Sequence, residues 1–310
     1  MSTPRRVLVT GASGFIGRHA VPQLLARGWE VHAVVLEAGK VPLPAAAIEI
    51  EANLLDPGVP RSLVERVRPT HLLHLAWNAV PGRFWSDPDN LDWVAASLAL
   101  HRAFGLAGGT RAVYAGTCAE YDWSHALLDE ATTPLRPATL YGAAKHALHT
   151  LLQAADPAVR VPFAWGRVFL LYGPHEHPAR LVPDVMRSLL LGQEARCTEG
   201  TQHRDFMHVD DVAGAFVAAL DSTHVGAFNI ATGQCVPLRE VVERIGAIAG
   251  RPDLLRLGAR PMPAGEPPRL AASTALLTDR IGFTPRHSLE SGLADTFEWW
   301  RGQIAPESRA

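Results

Sequence analysis

Short apolar runs alternate with helical patterns along the first half of the chain. Apolar runs of strand length occupy residues 6–11, 30–36, 71–77 and 111–117. Between them, residues 15–28 and 91–109 carry apolar side chains at helical spacing, and each stretch ends in a glycine. Strands that alternate with helices in this way predict βαβ units and a parallel sheet.

The pattern changes after residue 173. A helix that begins near Tyr141 precedes one more predicted strand, over 161–173. Beyond it proline and glycine become frequent, and predicted helices at 209–220 and 238–250 alternate with short extended pieces. A proline-rich stretch at 257–270 is predicted to be a loop.

The composition provides enough apolar material for a large core. The chain has 310 residues, of which 47% are hydrophobic and 19% are charged. We predict an α/β fold whose Rossmann-type, doubly wound parallel sheet spans 1–173, with some later segments returning to it. A smaller C-terminal α/β lobe is expected over 174–310.

Charge and cysteine content exclude several classes of protein. A formal net charge of −2 without a long basic run argues against nucleic acid as the main partner. Cys118, Cys197 and Cys235 lie far apart, which fits a reducing cytoplasm and gives neither a disulfide framework nor a zinc signature. No histidine group has an established ligand spacing, so no metal is predicted. The first apolar run, from Val7, leads directly into a glycine motif, so we expect neither a signal peptide nor a membrane span.

That glycine motif, "TGASGFIGRH", places Gly11, Gly14 and Gly17 between the first strand and the first helix. Glycines allow a tight turn and let backbone N–H groups approach a pyrophosphate, which the helix N-terminus stabilises. The spacing G-x-x-G-x-x-G is one residue wider at the front than the common G-x-G-x-x-G. Because a strand precedes it and a helix follows it, we predict a dinucleotide phosphate loop, with a plain tight turn as the alternative.

The adenosine end of this predicted site leaves NAD and NADP open. An acid usually ends the second strand and binds the ribose hydroxyls, but here Glu37 in "VVLEAGK" comes slightly late. Arg18 or Lys40 is placed to meet a 2′-phosphate instead. Asn53 is a candidate adenine contact or only a turn residue.

Tyr141 and Lys145 lie four positions apart in "YGAAKHAL" and therefore share a helical face. Either the pair is a surface accident, or the ammonium lowers the phenol pKa so that the phenol exchanges protons near neutral pH. The spacing alone does not decide, since it is common in helices.

The sequence as a whole resembles the extended short-chain dehydrogenase/reductases that act on nucleotide sugars. The matching motifs occur in the family's order between residues 10 and 233: "TGASGFIG", "HLAW", "VYAGT", "YGAAK", "GRVFLLYGP", "RDFMHVDDVA" and "FNIATG". The C-terminal "LLTDRIGFTPRHSLESGLADTFEWW" is also similar to the family's last segment. The resemblance covers nearly the whole chain.

The resemblance implies a role for each matched residue. Tyr141 is expected to exchange the proton at the sugar oxygen, Lys145 to hold the nicotinamide ribose and depress the tyrosine pKa, and Thr117 to hydrogen-bond the reacting oxygen. The implied cofactor contacts are Gly11, Gly14, Phe15, Ile16, Gly17, Arg18, Glu37, Asn53, Leu54, Ala76, Tyr141 and Lys145. The implied contacts to a nucleotide-diphosphate sugar are Trp77, Thr117, Cys118, His175, Arg180 and Arg204.

Alternatives remain for several of these substrate contacts. Arg204 matches a family arginine that reaches the diphosphate, and its other interpretation is a surface or capping arginine. Trp77, Trp85 and Trp123 suit stacking on a sugar or base, or simple packing.

Departures from the family pattern bear on the reaction. Hexose dehydratases of the family carry Asp-Glu after the threonine, whereas here Cys118 and Ala119 follow Thr117, and Glu120 comes one place late. A 4,6-dehydratase is therefore not expected. Trp93 and Leu170 stand where many members have asparagine, which makes the region less polar.

We predict an NAD(P)-dependent 4-ketoreductase of a nucleotide-linked deoxysugar, with a 4-epimerase as the first alternative. A reductase of non-sugar carbonyl compounds and a catalytically silent member of the fold are further alternatives. A homodimer through helices 91–108 and 141–155 is expected from the family resemblance.

Overall fold

The computed structural model describes residues 5–263 and 265–304. Its strands are β1 (Arg6–Thr10), β2 (Glu30–Val35), β3 (Ile48–Glu51), β4 (His71–His74), β5 (Arg111–Thr117), β6 (Phe163–Val168), β7 (Leu170–Tyr172), β8 (Ala195–Arg196), β9 (His203–His208), β10 (Gly226–Ile230), β11 (Cys235–Pro237), β12 (Leu255–Arg256) and β13 (Arg269–Leu270). Its helices are α1 (Gly17–Ala26), α2 (Val59–Val67), α3 (Asp89–Leu106), α4 (Leu140–Val159), α5 (Leu181–Leu190), α6 (Val209–Asp221), α7 (Leu238–Ile248), α8 (Ala275–Asp279) and α9 (Leu289–Ile304).

The larger sheet is parallel throughout and doubly wound, as predicted. Its order is β10-β6-β5-β4-β1-β2-β3, so the winding direction reverses between β1 and β4. One face buries an apolar core beneath α1 and α6, and the other buries a second core beneath α2, α3 and α4. The reversal opens a cleft at the carboxyl ends of the strands, where ligands bind in such sheets.

A smaller sheet is built around β9. This strand pairs antiparallel with β11 and parallel with β13 and β7. Helices α5, α7 and α9 cover it through a third apolar core. Two segments from this half of the chain return to the larger sheet: β10 pairs with β6, and α6 packs against α1.

The single strand predicted over 161–173 is wrong, because the structure has two strands there. β6 lies in the larger sheet and β7 in the smaller one, and Phe169 between them donates its N–H to the carbonyl of Ile230. All side chains of β6 are buried and those of β7 are buried or half-buried, so the apolar run continues across the break and the pattern does not show it.

No element is predicted over 41–68, where the structure places β3 and α2. β3 has four residues and buries only Ile50, so its pattern is too short to stand out. The helices predicted at 209–220 and 238–250 are present as α6 and α7, each within two residues at either end. Among the helices of the described part of the chain, none combines the length and apolar character needed to cross a bilayer.

Candidate active site

Thr117, Tyr141 and Lys145 meet at the carboxyl end of β5. Thr117 is the last residue of that strand, and Tyr141 and Lys145 lie on successive turns at the start of α4. Thr117 and Lys145 are buried and Tyr141 is half-buried, with its phenol in hydrogen-bonding reach of the Thr117 side chain. The structure therefore brings the three predicted catalytic residues into one site.

An aromatic shell surrounds the Tyr141 ring. Phe84 lies edge-on at 4.9 Å between ring centroids, and Trp85 and Trp77 follow at 5.8 and 6.4 Å. Phe84 was not among the predicted residues, because it belongs to an irregular loop whose path the sequence does not reveal. The shell limits the access of water to the phenol.

The charge state of the pair differs from the sequence expectation. Burial raises the pKa of the Tyr141 phenol, although its hydrogen bond with Thr117 acts in the opposite direction. Burial also lowers the pKa of Lys145 to about 7, and the nearby Glu120 carboxylate offsets part of that shift. The predicted lowering of the phenol pKa is therefore not found here, because loss of solvent dominates.

The Lys145 ammonium is held by two contacts of its own. Its Nζ donates a hydrogen bond to the carbonyl of Ala115 at 2.8 Å and lies 3.7 Å from the centroid of the Trp77 ring. Trp77, predicted to contact substrate, is thus in direct contact with the lysine.

Glu120 supports the end of β5 rather than entering the site. Its Oε1 accepts hydrogen bonds from the Thr117 N–H at 2.8 Å and from the Trp165 indole at 2.9 Å. Its Oε2 accepts from Arg167 Nε at 2.9 Å, within the core. The displaced acid therefore points away from the reacting groups, as the one-place shift predicts. Arg167 was missed, since nothing in the sequence pairs it with position 120.

The glycine loop is too tightly packed for larger residues. A Cβ on Gly17 would lie 2.1 Å from the Gly11 carbonyl oxygen. A Cβ on Gly11, where φ is +68°, would lie 2.8 Å from the Ala76 nitrogen. This close packing at the start of α1 fits a backbone cradle for a dinucleotide pyrophosphate.

The predicted neighbours of the loop lie around it. The Arg18 side chain folds back and donates to the carbonyl of Ser13 at 2.9 Å. Ala76 follows β4 and donates its N–H to Thr10 Oγ1 at 3.3 Å, while Phe15 and Ile16 are half-buried between loop and helix. These positions are compatible with the cofactor contacts predicted for them.

A cleft of ≈ 770 Å³ opens beside the ends of β2 and β3, at the predicted adenosine end. Asn53 lines it, but its side chain also binds Asp56 at 2.9 Å and the Leu55 N–H at 3.2 Å, as in a turn. The Leu54 side chain is buried in the core beneath the cleft and does not line it. Glu37 is exposed and pairs with Lys40 at 2.6 Å.

Arg204 is buried on β9 and its charge acts on Cys118, next to Thr117. The Arg204 guanidinium pairs with Glu266 at 3.2 Å, and Gln202 donates to the same carboxylate at 2.9 Å. Glu266, in the predicted proline-rich loop, was not singled out from the sequence. A buried arginine whose carboxylate partner comes from a loop is a suitable anion site.

The other residues predicted to contact substrate lie in different parts of the structure. The Arg180 guanidinium lies 5.6 Å from the Phe84 ring, beside the aromatic shell. His175 instead packs on Trp299 at 4.5 Å and lies 6.1 Å from the ring of His19 on α1. Trp123 donates its indole N–H to the Cys118 carbonyl at 2.8 Å.

The chain is similar to known proteins over nearly its whole length. Residues 7–231 match the model of the NAD dependent epimerase/dehydratase family. A UDP-glucose 4-epimerase of Mycolicibacterium smegmatis is 30% identical, covering 96% of this chain and 99% of that protein. The UDP-glucose 4-epimerase of Thermus thermophilus, solved with NAD, superposes with a TM-score of 0.83 at 28% identity, covering 96% of this chain and 99% of that one. TunA, an NAD-dependent NDP-hexosamine 5,6-dehydratase involved in tunicamycin biosynthesis, gives a TM-score of 0.84 at 29% identity, with coverage of 96% and 98%.

Proposed function

The chain belongs to the NAD-dependent epimerase/dehydratase family, and we propose that it is an NAD-dependent epimerase acting at C4 of a nucleotide-linked sugar. The observation that carries the proposal is the meeting of Thr117, Tyr141 and Lys145 at the carboxyl end of β5, the same edge of the sheet at which the glycine loop follows β1. Similarity over nearly the whole chain to a UDP-glucose 4-epimerase favours epimerisation over the 4-ketoreductase that the sequence placed first.

Each of the three residues has its own role in the reaction at C4. In the complex with cofactor and sugar, the positive charges of Lys145 and of the nicotinamide ring favour the Tyr141 phenolate, which removes the proton of the C4 hydroxyl and returns it after the 4-keto sugar has rotated in the site. The Thr117 hydroxyl hydrogen-bonds the same oxygen and holds it towards the phenol. Lys145 binds the nicotinamide ribose through the ammonium N–H groups that do not donate to the carbonyl of Ala115. Bound NAD supplies the hydride acceptor and, in its reduced form, the hydride donor.

A sugar dehydration is disfavoured by the same geometry, despite the similarity to a dehydratase. Elimination of water requires an acid and a base next to the sugar ring. The positions after Thr117 carry Cys118 and Ala119, and Glu120 is committed to Arg167 in the core.

NAD is favoured over NADP by the acids at the end of β2. The Glu51 and Glu49 carboxylates accept hydrogen bonds from the N–H groups of Ala38 and Gly39, each at 3.0 Å. Glu37 adds a third carboxylate, while Lys40 there is already paired. A 2′-phosphate would meet this negative charge, whereas ribose hydroxyls can donate to it.

We propose a UDP-hexose as substrate, with Arg204 as its diphosphate ligand. The guanidinium is buried and its present partner Glu266 lies in a loop, so a diphosphate can replace that carboxylate. The uridine is inferred from the relatives.

The outer surface of α3 and α4 supports a homodimer. It exposes several apolar side chains at helical spacing: Leu91, Ala95, Ala99, Ala147 and Leu151. A second copy that presents the same face would cover it in a four-helix contact.

Purified protein should release NAD on denaturation, as read by mass spectrometry. It should then interconvert UDP-glucose and UDP-galactose without added cofactor, as read by proton NMR. A requirement for one equivalent of NAD(P)H per turnover would identify a 4-ketoreductase instead. Failure of every nucleotide sugar tested to raise the melting temperature would favour a non-sugar carbonyl substrate.

A further inference from the structure

The face of the Trp77 ring covers the Lys145 ammonium. The Nζ lies 3.7 Å from the ring centroid, a distance at which a cation is attracted to the negative face of an indole. The lysine side chain is only 3% exposed, so water contributes little to the solvation of its charge. The indole face therefore takes over part of the role of water.

The indole is itself held firmly. Its N–H donates to Asn90 Oδ1 at 2.8 Å, and Asn90 in turn donates to the carbonyls of Phe84 and Asp87. The ring also stacks on Trp93 with 6.0 Å between centroids and 27° between planes. These contacts fix the ring relative to α3 and leave it little freedom to leave Lys145.

We propose that Trp77 is a positioning residue for Lys145, whose ammonium it keeps charged and directed towards the site through a cation–π contact. This inference rests on the proposed function for the role of Lys145, but the contact itself does not. Trp93 stands where many members of the family have an asparagine. In this proposal its ring stacks on Trp77 and holds it in place.

Other groups around the ammonium do not replace this contact. Glu120 favours the charged form of Lys145, but its carboxylate is already paired with Arg167. His74 on β4 has its pKa lowered to about 3 by burial and by Lys145, so it is neutral there. Tyr141, one turn earlier, is protonated because burial raises its pKa. Removal of the indole attraction should therefore lower the pKa of Lys145.

The chain is well suited to a direct test, because Lys40 and Lys145 are its only lysines. Protein labelled with ¹³C at lysine Cε gives two signals, and exposed Lys40 serves as the internal reference. Trp77 alone is replaced by mono-, di- and tetrafluorinated tryptophan, which weakens the negative ring face with little change in shape. The pKa of Lys145 is then read from the titration of its signal.

We expect the Lys145 pKa to fall with each added fluorine, by roughly half a unit to one unit over the series, the size of a cation–π contact. The descending limb of kcat/KM against pH should move down by the same amount. The same series at Trp29, whose ring faces Arg5 at the opposite end of the sheet, should leave Lys145 unchanged.

A Lys145 pKa that does not depend on fluorination at Trp77 would overturn the inference. So would equal shifts from the Trp29 series. If fluorination of Trp77 shifts the Lys145 pKa but the protein has no activity on nucleotide sugars, the proposed function is wrong and the contact between Trp77 and Lys145 is established.

Discussion

Arg167 Nε lies 2.9 Å from Glu120 Oε2, and neither side chain is more than 1% exposed. The pair lies directly behind the reacting groups, because Glu120 also accepts the N–H of Thr117. Arg167 further donates to the Tyr121 hydroxyl at 3.0 Å, which donates to Asn229 at 2.8 Å. A buried polar network thus links the end of β5 to β6 and β10.

Arg167→Met should lower the free energy of unfolding by about 3–5 kcal/mol, because it leaves the Glu120 charge buried without a counter-ion. Urea denaturation measures this. The control is Arg61→Met, which breaks the solvent-exposed pair with Glu65 and should lower the free energy of unfolding far less. If Arg167→Met lowered the free energy of unfolding as little as the control does, Arg167 and Glu120 would not be a buried ion pair in the native protein.

Tyr141→Phe should lower kcat at least about 100-fold, since the ring remains but the proton-exchanging group is lost. The melting temperature and the affinity for NAD should change little. Tyr172→Phe removes a hydroxyl that donates to the carbonyl of Leu289, away from the three candidate catalytic residues, and serves as the control. Unchanged turnover in the Tyr141 variant would refute the assignment of the phenol.

Glu176→Gln should stabilise the protein at alkaline pH. The Glu176 side chain is buried, its Oε2 has no hydrogen-bond partner among the described residues, and burial raises its pKa to about 8 despite the nearby Arg180. The folded state therefore retains a proton that the unfolded state releases, so wild-type stability falls as pH rises from about 4.5 to 8. Glutamine has no such proton and avoids the loss.

The free energy of unfolding of Glu176→Gln should equal that of wild type at about pH 4 and exceed it by roughly 2 to 4 kcal/mol above about pH 8. Chemical denaturation across this range measures it. Glu243→Gln, on the exposed face of α7, should show no such trend. A constant difference at all pH values would mean that Glu176 titrates normally.

Wild-type protein should bind NAD at least about 10-fold more tightly than NADP, because three carboxylates surround the turn after β2. Glu37→Ser should reduce that ratio, whereas Lys40→Ser, from the same turn, should increase it. Calorimetric titration of cofactor-free protein gives both affinities. Shifts in the same direction for both variants would remove Glu37 and Lys40 from cofactor selection.

Ala99→Arg should convert a dimer into a monomer, since it places a charge in the apolar face of α3. Light scattering at micromolar concentration measures the mass. Ala45→Arg, at another exposed alanine, should leave the mass unchanged. A monomeric wild-type protein would contradict the proposed contact.

The local features of this protein could be predicted from the sequence alone. The alternation of β1, α1 and β2 is visible because each buried strand and amphipathic helix has its own period. The glycine loop and the Tyr141–Lys145 spacing are equally local, since they lie within single turns of the chain. Thr117 could be placed at a strand end for the same reason.

The contacts between residues far apart in sequence became visible only in the folded protein. The contact of Trp77 with Lys145, the pairing of Arg204 with Glu266 and the burial of Glu120 against Arg167 join segments that are far apart in sequence. The break between β6 and β7 likewise depends on which sheet each half joins. The shifts in the pKa of Tyr141 and Lys145 arise from loss of solvent, which depends on every element packed around the site and on no single stretch of sequence.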